Sequence, residues 1–557
     1  MRDPKEIKAD LAKQIEGKAQ FSRPGDAAYG DLTTNVALQL AAEDKSNPRE
    51  TAQELAEKLE LPEEISKVEV AGPGFINFTY SDGYLLDLLR NPEAILDNKT
   101  EDQTIVVDYS QPNVAKPLMA HHLLSTIIGQ SVVNIFKAKG NKVVSVNYIG
   151  DWGTQFGKLI YAYRQWGDHD DIEKDPIPEL LALYVRFHNE AEKDPELDER
   201  GREEFKKLEE GDPENLKLWE WIVEVSIREI ERLYALLGGI KFDSYRAEAA
   251  CRDDLPALIE SGLKLGIFEA GEGGSLIVNL DAEGLIPFLV QKTDGTTLYS
   301  TRDLETVRYR LEEYKPNKII YVVDVAQKLH FEQVFASVEK FPWYSPETDM
   351  KHLIFGRMRF RDGKMSTRKG NVIQLEEILE EAITRATKII DEKNPDLENK
   401  EEVARQVGIG AVKYSIVSQS PESDLVFDWD KIISFEGNSA PYLQYSHARA
   451  ASILRQEQPG KLPKEYNLSP EEALVIRDAV AFKHVIDEAA GKLKPNIIAT
   501  YLYELSQNFN GFYTKCPVLS EENPDTKQVR LAIVSLFASL MKEGLSLLGG
   551  IEAPEQM

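Results

Sequence analysis

The sequence predicts an α/β protein: a Rossmann-type parallel-sheet domain, preceded by a small α/β module and followed by an all-helical bundle. Three observations predict it. Between Asp108 and Gly157, an apolar strand (Ile105–Val107) opens into a loop carrying Asn113, Lys116, His121 and His122. A helix follows, then a second strand ending at Gly150-Asp151-Trp152-Gly153. This β-α-β unit puts imidazoles at the first strand–helix turn, where a doubly wound sheet holds a nucleotide. Second, β-rich apolar runs recur at 143–148, 275–280, 287–291, 318–324 and 352–360, several separated by helical segments. That is the rhythm of a parallel sheet with crossover helices. Third, from about residue 405 the chain carries apolar residues at three- and four-residue spacing almost throughout, as a helical bundle requires.

The elements follow in order. Residues 1–100 form the N-terminal module, with helical segments at 4–18 and 48–59 around PGDAAYGDLTTNVALQLAA. A β-like stretch, VEVAGPGFINFTYS, turns at Gly72-Pro73-Gly74. Acidic DNKTEDQ links it to the domain at 101–404. Charged amphipathic helices interrupt that domain near 166–240 and read as an insertion. Within residues 166–215 there are 18 acidic and 7 basic side chains, a solvated surface. Residues 405–557 make the bundle.

Composition excludes several classes. Of 557 residues, 42% are hydrophobic and 29% charged, as in ordinary globular proteins. No run reaches the roughly 18–20 apolar residues of a membrane span, so no membrane partner is expected. MRDPKEIKADLAKQ is a charged helix rather than a signal peptide. Two cysteines, Cys251 and Cys516, make neither a disulfide framework nor a zinc site. A cytoplasmic protein without zinc is expected. The net charge of −28 argues against bulk attraction to nucleic acid, yet residues 440–557 hold 14 acids against 12 bases, and a local basic face suffices for RNA.

The chemistry lies in two clusters. Lys116 and His122 come from the first loop. Lys364 lies in a glycine-flanked second one, Lys364-Met365-Ser366-Thr367-Arg368-Lys369-Gly370 near 362–372. Adenylating a carboxylate requires a triphosphate to be held while charge builds on its α-phosphate, and positioned imidazoles, lysines and helix N-terminal amides meet that need. Either cluster alone has an ordinary reading as packing or solvated surface. Together they point to ATP-dependent adenylation.

PNVAKPLMAHH and KMSTRKG resemble the two signatures of arginyl-tRNA synthetases. NYIGDWGTQFG, TTLYSTRDL and AQKLHFEQVF follow in that family's order. GNSAPYLQYSHARAASIL and GLSLLGGIEAPEQM resemble its C-terminal anticodon-binding domain, and PGDAAYGDLTTNVALQLA and GPGFINF its N-terminal module. The resemblance runs nearly end to end. It implies a class I aminoacyl-tRNA synthetase that joins L-arginine to tRNA(Arg), consuming ATP with Mg2+ as substrate. The nucleic acid would be tRNA and not DNA, and the protein a monomer. A synthetase-like tRNA-binding protein without catalysis is the alternative.

The resemblance also implies roles. Met119, His121, His122, His330, Lys364, Met365 and Ser366 would contact ATP, with Lys116, His122 and Lys364 catalytic. The family's His-x-Gly-His is rewritten here as Met119-Ala120-His121-His122, so either His121 replaces the missing imidazole or one imidazole suffices. Thr367 stands in place of a second lysine, whose charge Lys116 would supply. Asp108, Ser110, Asn113, Tyr299, Asp303 and Gln327 would bind arginine, because carboxylates pair best with a planar guanidinium. Asp303 has a second reading as a helix N-terminal charge. Phe75 and Asn77 would read the D-loop. Tyr442, Gln444, His447, Arg449 and Met557 would face the anticodon, although PYLQY also reads as bundle core, with Tyr445 the first candidate for burial.

Overall fold

The computed structural model describes residues 2, 4–15, 19–24, 29–99, 101–361 and 374–557. Its centre is a four-stranded parallel sheet in the order Asp349–Phe355, Lys318–Asp324, Thr104–Asp108, Lys142–Val146. Thr104–Asp108 is covered on both faces, which is why it reads as an unbroken apolar run rather than an alternating one. The helix Ala120–Ala138 crosses from it to Lys142–Val146, and Lys328–Val338 crosses from Lys318–Asp324 to Asp349–Phe355. The strand order therefore reverses between Thr104–Asp108 and Lys318–Asp324. A crevice opens at the carboxyl ends of strands at such a point.

Ala120–Ala138, the signature helix, is buried on nearly every side. One face lies on the sheet, where a Cβ at Gly129 would come within 2.3 Å of the Tyr109 ring. Only glycine permits that approach. The other side meets the C-terminal bundle, and Asn134 Nδ2 donates to Ser546 O at 2.8 Å.

Two of the expected sheet strands belong elsewhere. Leu276–Val278 and Phe288–Gln291 join Phe268–Ala270 in a separate antiparallel sheet. The connections 271–275 and 279–287 are too short for a parallel crossover, which takes about a dozen residues or more. The run at 352–360 also divides: the parallel strand ends at Phe355, and Met358–Phe360 pairs with Leu425–Phe427. The expected boundary at 404/405 falls inside the helix Lys400–Val417. The shift from strands to helices marks a hairpin of that helix with Leu375–Lys393, and strand pairing carries the central domain on to Phe427.

The insertion consists of helices His169–Lys174, Pro176–Ala191, Glu196–Glu209 and Pro213–Leu236 around its own core of Leu180, Phe187, Ile222 and Val225. Trp152 joins this core, edge-on to Trp219 and Phe205 at 5.6 Å. The acids pair locally, as Glu204 does with Arg164 and Lys207 and Asp198 does with Lys158.

The N-terminal module is an antiparallel sheet, Leu32–Thr34, Phe75–Tyr80, Ile65–Ala71, with helices against it. It docks on the bundle through Arg23–Asp478 and through Arg477–Asp31 at 3.3 Å. The bundle helices run from Ala440 to Leu547, with Phe509 and Phe537 stacked at 3.6 Å in their core. No described helix is long and apolar enough to cross a membrane.

Candidate active site

A cleft of about 270 Å³ opens at the crevice between the two central strands. Its near wall is the loop after Asp108. That loop passes through left-handed backbone at Ser110 (φ 75°), Gln111 (53°) and Ala115 (60°), none of them glycine. Such residues cost roughly 1–3 kcal/mol each and persist only where neighbours impose them. Here Asn147 Oδ1 accepts from Gln111 N at 3.0 Å, and the Ser110 hydroxyl bonds Thr126 and Tyr234 at 2.7 and 2.6 Å. Ser110 is thereby buried as a support of the loop. Asn113 is bracketed by Gly150 N to Pro112 O at 3.0 Å and Val114 N to Gly150 O at 3.1 Å. Its side chain occupies the room that Gly150 leaves: a Cβ there would lie 2.4 Å from Asn113 Oδ1.

The far wall is acidic. Tyr299 opens the helix Tyr299–Tyr314, and Asp303 follows one turn later on the same side. His330, in the first turn of Lys328–Val338, donates Nε2–H to Asp303 Oδ2 at 2.6 Å. Gln327 lies just before that helix and lines the same cleft. Glu248 lines it too, and sequence reading missed it, since nothing in AEAACRDD marks an acid for function. Tertiary bonds place it: Glu248 N donates to Ile149 O at 3.0 Å and Ala249 N to Asp151 Oδ1 at 2.8 Å. The NYIGDWG motif is thus the frame that holds Glu248. Burial raises the pKa of Glu248, opposed by the Arg302 guanidinium paired with it. Burial likewise pushes Asp151 up to about 6.

Asp108 lies on the floor of the cleft, buried, with Oδ2 2.6 Å from Nη2 of the fully buried Arg310. Burial works against the Arg310 charge, and Asp108 together with Tyr321 more than offsets it. The carboxylate expected to meet a substrate guanidinium thus already holds an internal one. The structure brings Asp108, Asn113, Tyr299, Asp303, Gln327 and His330 around one cleft. His330, expected beside the nucleotide, sits on the acidic wall.

The imidazoles stand at the N-terminus of the signature helix. His122 is buried, and its Nδ1 accepts from Met119 N at 2.9 Å. That bond puts the ring hydrogen on Nε2. Burial, with His121 adding to it, lowers the His122 pKa to about 3. The ring is therefore a neutral donor whose orientation the backbone of residue 119 sets. His121 is exposed, its ring centroid 3.9 Å from that of His122. Lys116 is exposed, with Nζ 5.8 Å above the Tyr184 ring. It lines a neighbouring cavity with Arg232, Gln374 and Glu376. Lys364, Met365 and Ser366 lie outside the described residues.

Comparison with known proteins gives the family. The family described as tRNA synthetases class I (R), catalytic domain, matches residues 85–429. The DALR anticodon binding domain matches 443–557, and the arginyl tRNA synthetase N terminal domain matches 3–80. The chain belongs to the arginyl-tRNA synthetase family. It is 40% identical to an arginine–tRNA ligase of Alkaliphilus metalliredigens, over 98% of each chain. It is 43% identical to arginine–tRNA ligase 1 of Bacillus cereus, over 96% of this chain and 94% of that one. The solved arginyl-tRNA synthetase of Thermus thermophilus superposes with a TM-score of 0.84 at 26% identity, covering both chains in full.

Within this family fold, the residues implied for tRNA divide by burial. Phe75 is exposed at the start of its strand, whereas Asn77 is buried. In the helix Ala440–Gln456, positions 440, 443, 444, 447 and 450 face the core. Gln444 and His447 are therefore buried. Gln444 Nε2 donates to Glu552 O at 2.8 Å, and His447 Nδ1 bonds Pro554 O at 3.0 Å, both holding the C-terminal tail. Tyr445, expected in the core, falls on the opposite side and is exposed. The Arg449 guanidinium lies between the Tyr445 and Tyr513 rings, at 5.1 and 4.9 Å, and Tyr442 packs edge-on against Tyr503. Met557 is partly buried near Phe435, and its carbonyl accepts from Asn394 Nδ2 at 3.3 Å.

Proposed function

We propose that the cleft takes L-arginine and the N-terminus of the signature helix takes magnesium–ATP, in a monomer acting in the cytoplasm. Arginine carboxylate attacks the α-phosphate, giving arginyl-adenylate and pyrophosphate. The 2′-hydroxyl of the terminal adenosine of tRNA(Arg) then displaces AMP and takes the arginyl group. One observation carries the reading: Asp303, Glu248 and Tyr299 face one cleft at the strand-order reversal, next to a helix N-terminus that presents a neutral imidazole donor.

The division of labour follows from this geometry. Asp303 and Glu248 pair with the guanidinium, with the Tyr299 hydroxyl as a further partner. Asn113 and Gln327 meet the polar end of the amino acid. Asp108 acts from beneath, setting the wall through Arg310. His122 Nε2–H donates to phosphate, with His121 and the backbone at Met119 beside it, and Lys116 and Lys364 supply positive charge as pyrophosphate departs. Met365 and Ser366 contact the nucleotide from the same loop as Lys364. Phe75 and Asn77 serve the D-loop. Tyr442, Tyr445 and Arg449 offer aromatic and guanidinium planes for stacking on splayed bases, while Gln444, His447 and Met557 shape that face through the tail.

Arginine-dependent ATP–pyrophosphate exchange, with and without tRNA, tests this reading alongside His122→Ala and Met119→His. Exchange that needs both arginine and tRNA is the expected result. Intact tRNA binding with no exchange under any condition would leave only a non-catalytic tRNA-binding role.

A further inference from the structure

Three carboxylates border the cleft, and their partners differ. Asp108 pairs with Arg310 and Glu248 with Arg302, so each already carries a resident guanidinium. Among the described residues, no lysine or arginine pairs with Asp303. Its partner is the His330 imidazole, Nε2 to Oδ2 at 2.6 Å.

We propose that His330 is a positioning residue for arginine selection, aiming the Asp303 carboxylate at the substrate guanidinium through one hydrogen bond. This rests on the reading of the cleft as the arginine site. Asp303 stands one turn into its helix, on the same side as Tyr299, where its carboxylate can take more than one orientation toward the cleft. A hydrogen bond from Nε2 to one oxygen fixes the plane of the carboxylate and leaves the other oxygen for an incoming N–H. A lysine or arginine at 330 would fix it equally well, but would also supply the cation that the site is built to select. An imidazole donates the same hydrogen bond without the permanent charge of lysine or arginine.

The ring is itself held. His330 is 9% exposed, with Tyr299 at 4.7 Å, Phe331 at 5.3 Å and Phe288 at 5.9 Å between ring centroids. Gln333, one turn along, donates to Ile286 O at 2.8 Å and pins the helix against the antiparallel sheet. Tyr299 therefore packs on the ring that orients Asp303, so that one contact bears on two of the guanidinium partners.

The experiment measures arginine binding by calorimetry without ATP, and exchange kinetics, for wild type, His330→Ala and His330→Gln. Thermal midpoints check that each variant folds. His330→Ala is expected to raise the arginine Kd and KM by about 10–50-fold, with kcat at saturating arginine and the ATP KM changed by less than about threefold. His330→Gln keeps a donor at the reach of Nε2 and is expected to recover most of the loss. If the ATP KM rises while arginine binding holds, His330 serves the nucleotide and the proposal is overturned. Unchanged arginine binding in a folded His330→Ala also overturns it. If wild type neither binds arginine nor exchanges, the reading of the cleft fails first, and the proposal with it.

Discussion

Gly150→Ala isolates the geometry of the cleft from its chemistry. A Cβ at 150 would lie 2.4 Å from Asn113 Oδ1 and 3.3 Å from its Cγ, whereas contacts under 3.0 Å essentially never occur. The amide must therefore move by at least 3.0 − 2.4 = 0.6 Å. It can do so by rotating its side chain, because the bonds joining residues 112–114 to Gly150 run through backbone. Stability should fall by no more than about 1 kcal/mol, the order of one side-chain rotamer change. Binding should suffer more, since an error approaching 1 Å in a positioning group costs up to about 100-fold. The expected result is an arginine KM raised about 10–100-fold in pyrophosphate exchange, with the ATP KM within about threefold. Asn113→Ala should give a similar loss. Gly150→Ala added to Asn113→Ala should then do little more, because both remove the same contact. Additive losses, or an unchanged arginine KM in the single variant, would refute the placement of Asn113.

Three other outcomes are expected. His122→Ala removes the Nε2 donor and leaves Met119 N without its acceptor, so exchange kcat should fall about 10²–10³-fold, and His121→Ala, on an exposed ring, less than about tenfold. Steady-state kinetics at saturating arginine checks both. Arg449→Ala and Tyr445→Ala should raise the tRNA KM in aminoacylation while leaving thermal midpoints nearly unchanged, whereas Gln444→Ala should lower the midpoint through its buried bond to Glu552 O. Asp31 is raised from 3.8 to about 6 by burial, against the pull of Arg477 and Arg23. A carboxyl raised in the folded state favours folding below its unfolded pKa, and that contribution is lost as pH rises through the folded value. Between pH 4 and 6.5 the stability of Asp31→Asn should therefore gain on wild type by about 2 kcal/mol, as read from denaturant unfolding at stepped pH.

What was legible in the sequence had a local cause. The unbroken apolar run at Thr104–Asp108 and the imidazoles after it mark a buried parallel strand and its helix, because both depend on neighbours in the chain. Leu276–Val278 and Phe288–Gln291 look alike in composition, and only their short connections show that they pair antiparallel. The phase of Ala440–Gln456 was hidden for another reason. PYLQY is apolar and polar on both faces, so whether Tyr445 or Gln444 faces inward is decided by the tail that Gln444 and His447 hold. Glu248 was unreadable, since its place depends on Ile149 and Asp151, about a hundred residues away in the chain. The pairing of Asp108 with Arg310 was likewise beyond any local pattern.

The rewritten first signature is the place where local sequence and function diverge most. Read as letters, Met119 costs the site an imidazole, since a thioether cannot donate to phosphate. In the fold, the role at 119 is divided between side chain and backbone, and the backbone part survives any substitution that keeps an N–H. Met119 N sets the tautomer of His122 by donating to Nδ1, so the remaining imidazole carries its hydrogen on Nε2 whatever side chain stands at 119. Burial holds that ring neutral down to a pKa of about 3. It therefore contributes an aligned dipole rather than a full charge to the developing negative charge. The positive charge then falls to lysines, and Lys116 is exposed, lining a cavity with Arg232 and Gln374. On this argument Met119→Pro, which removes the N–H, should impair exchange far more than Met119→Ala, which keeps it. Equal losses in the two folded variants, measured by exchange kcat, would show that the side chain at 119 and not its amide carries the function.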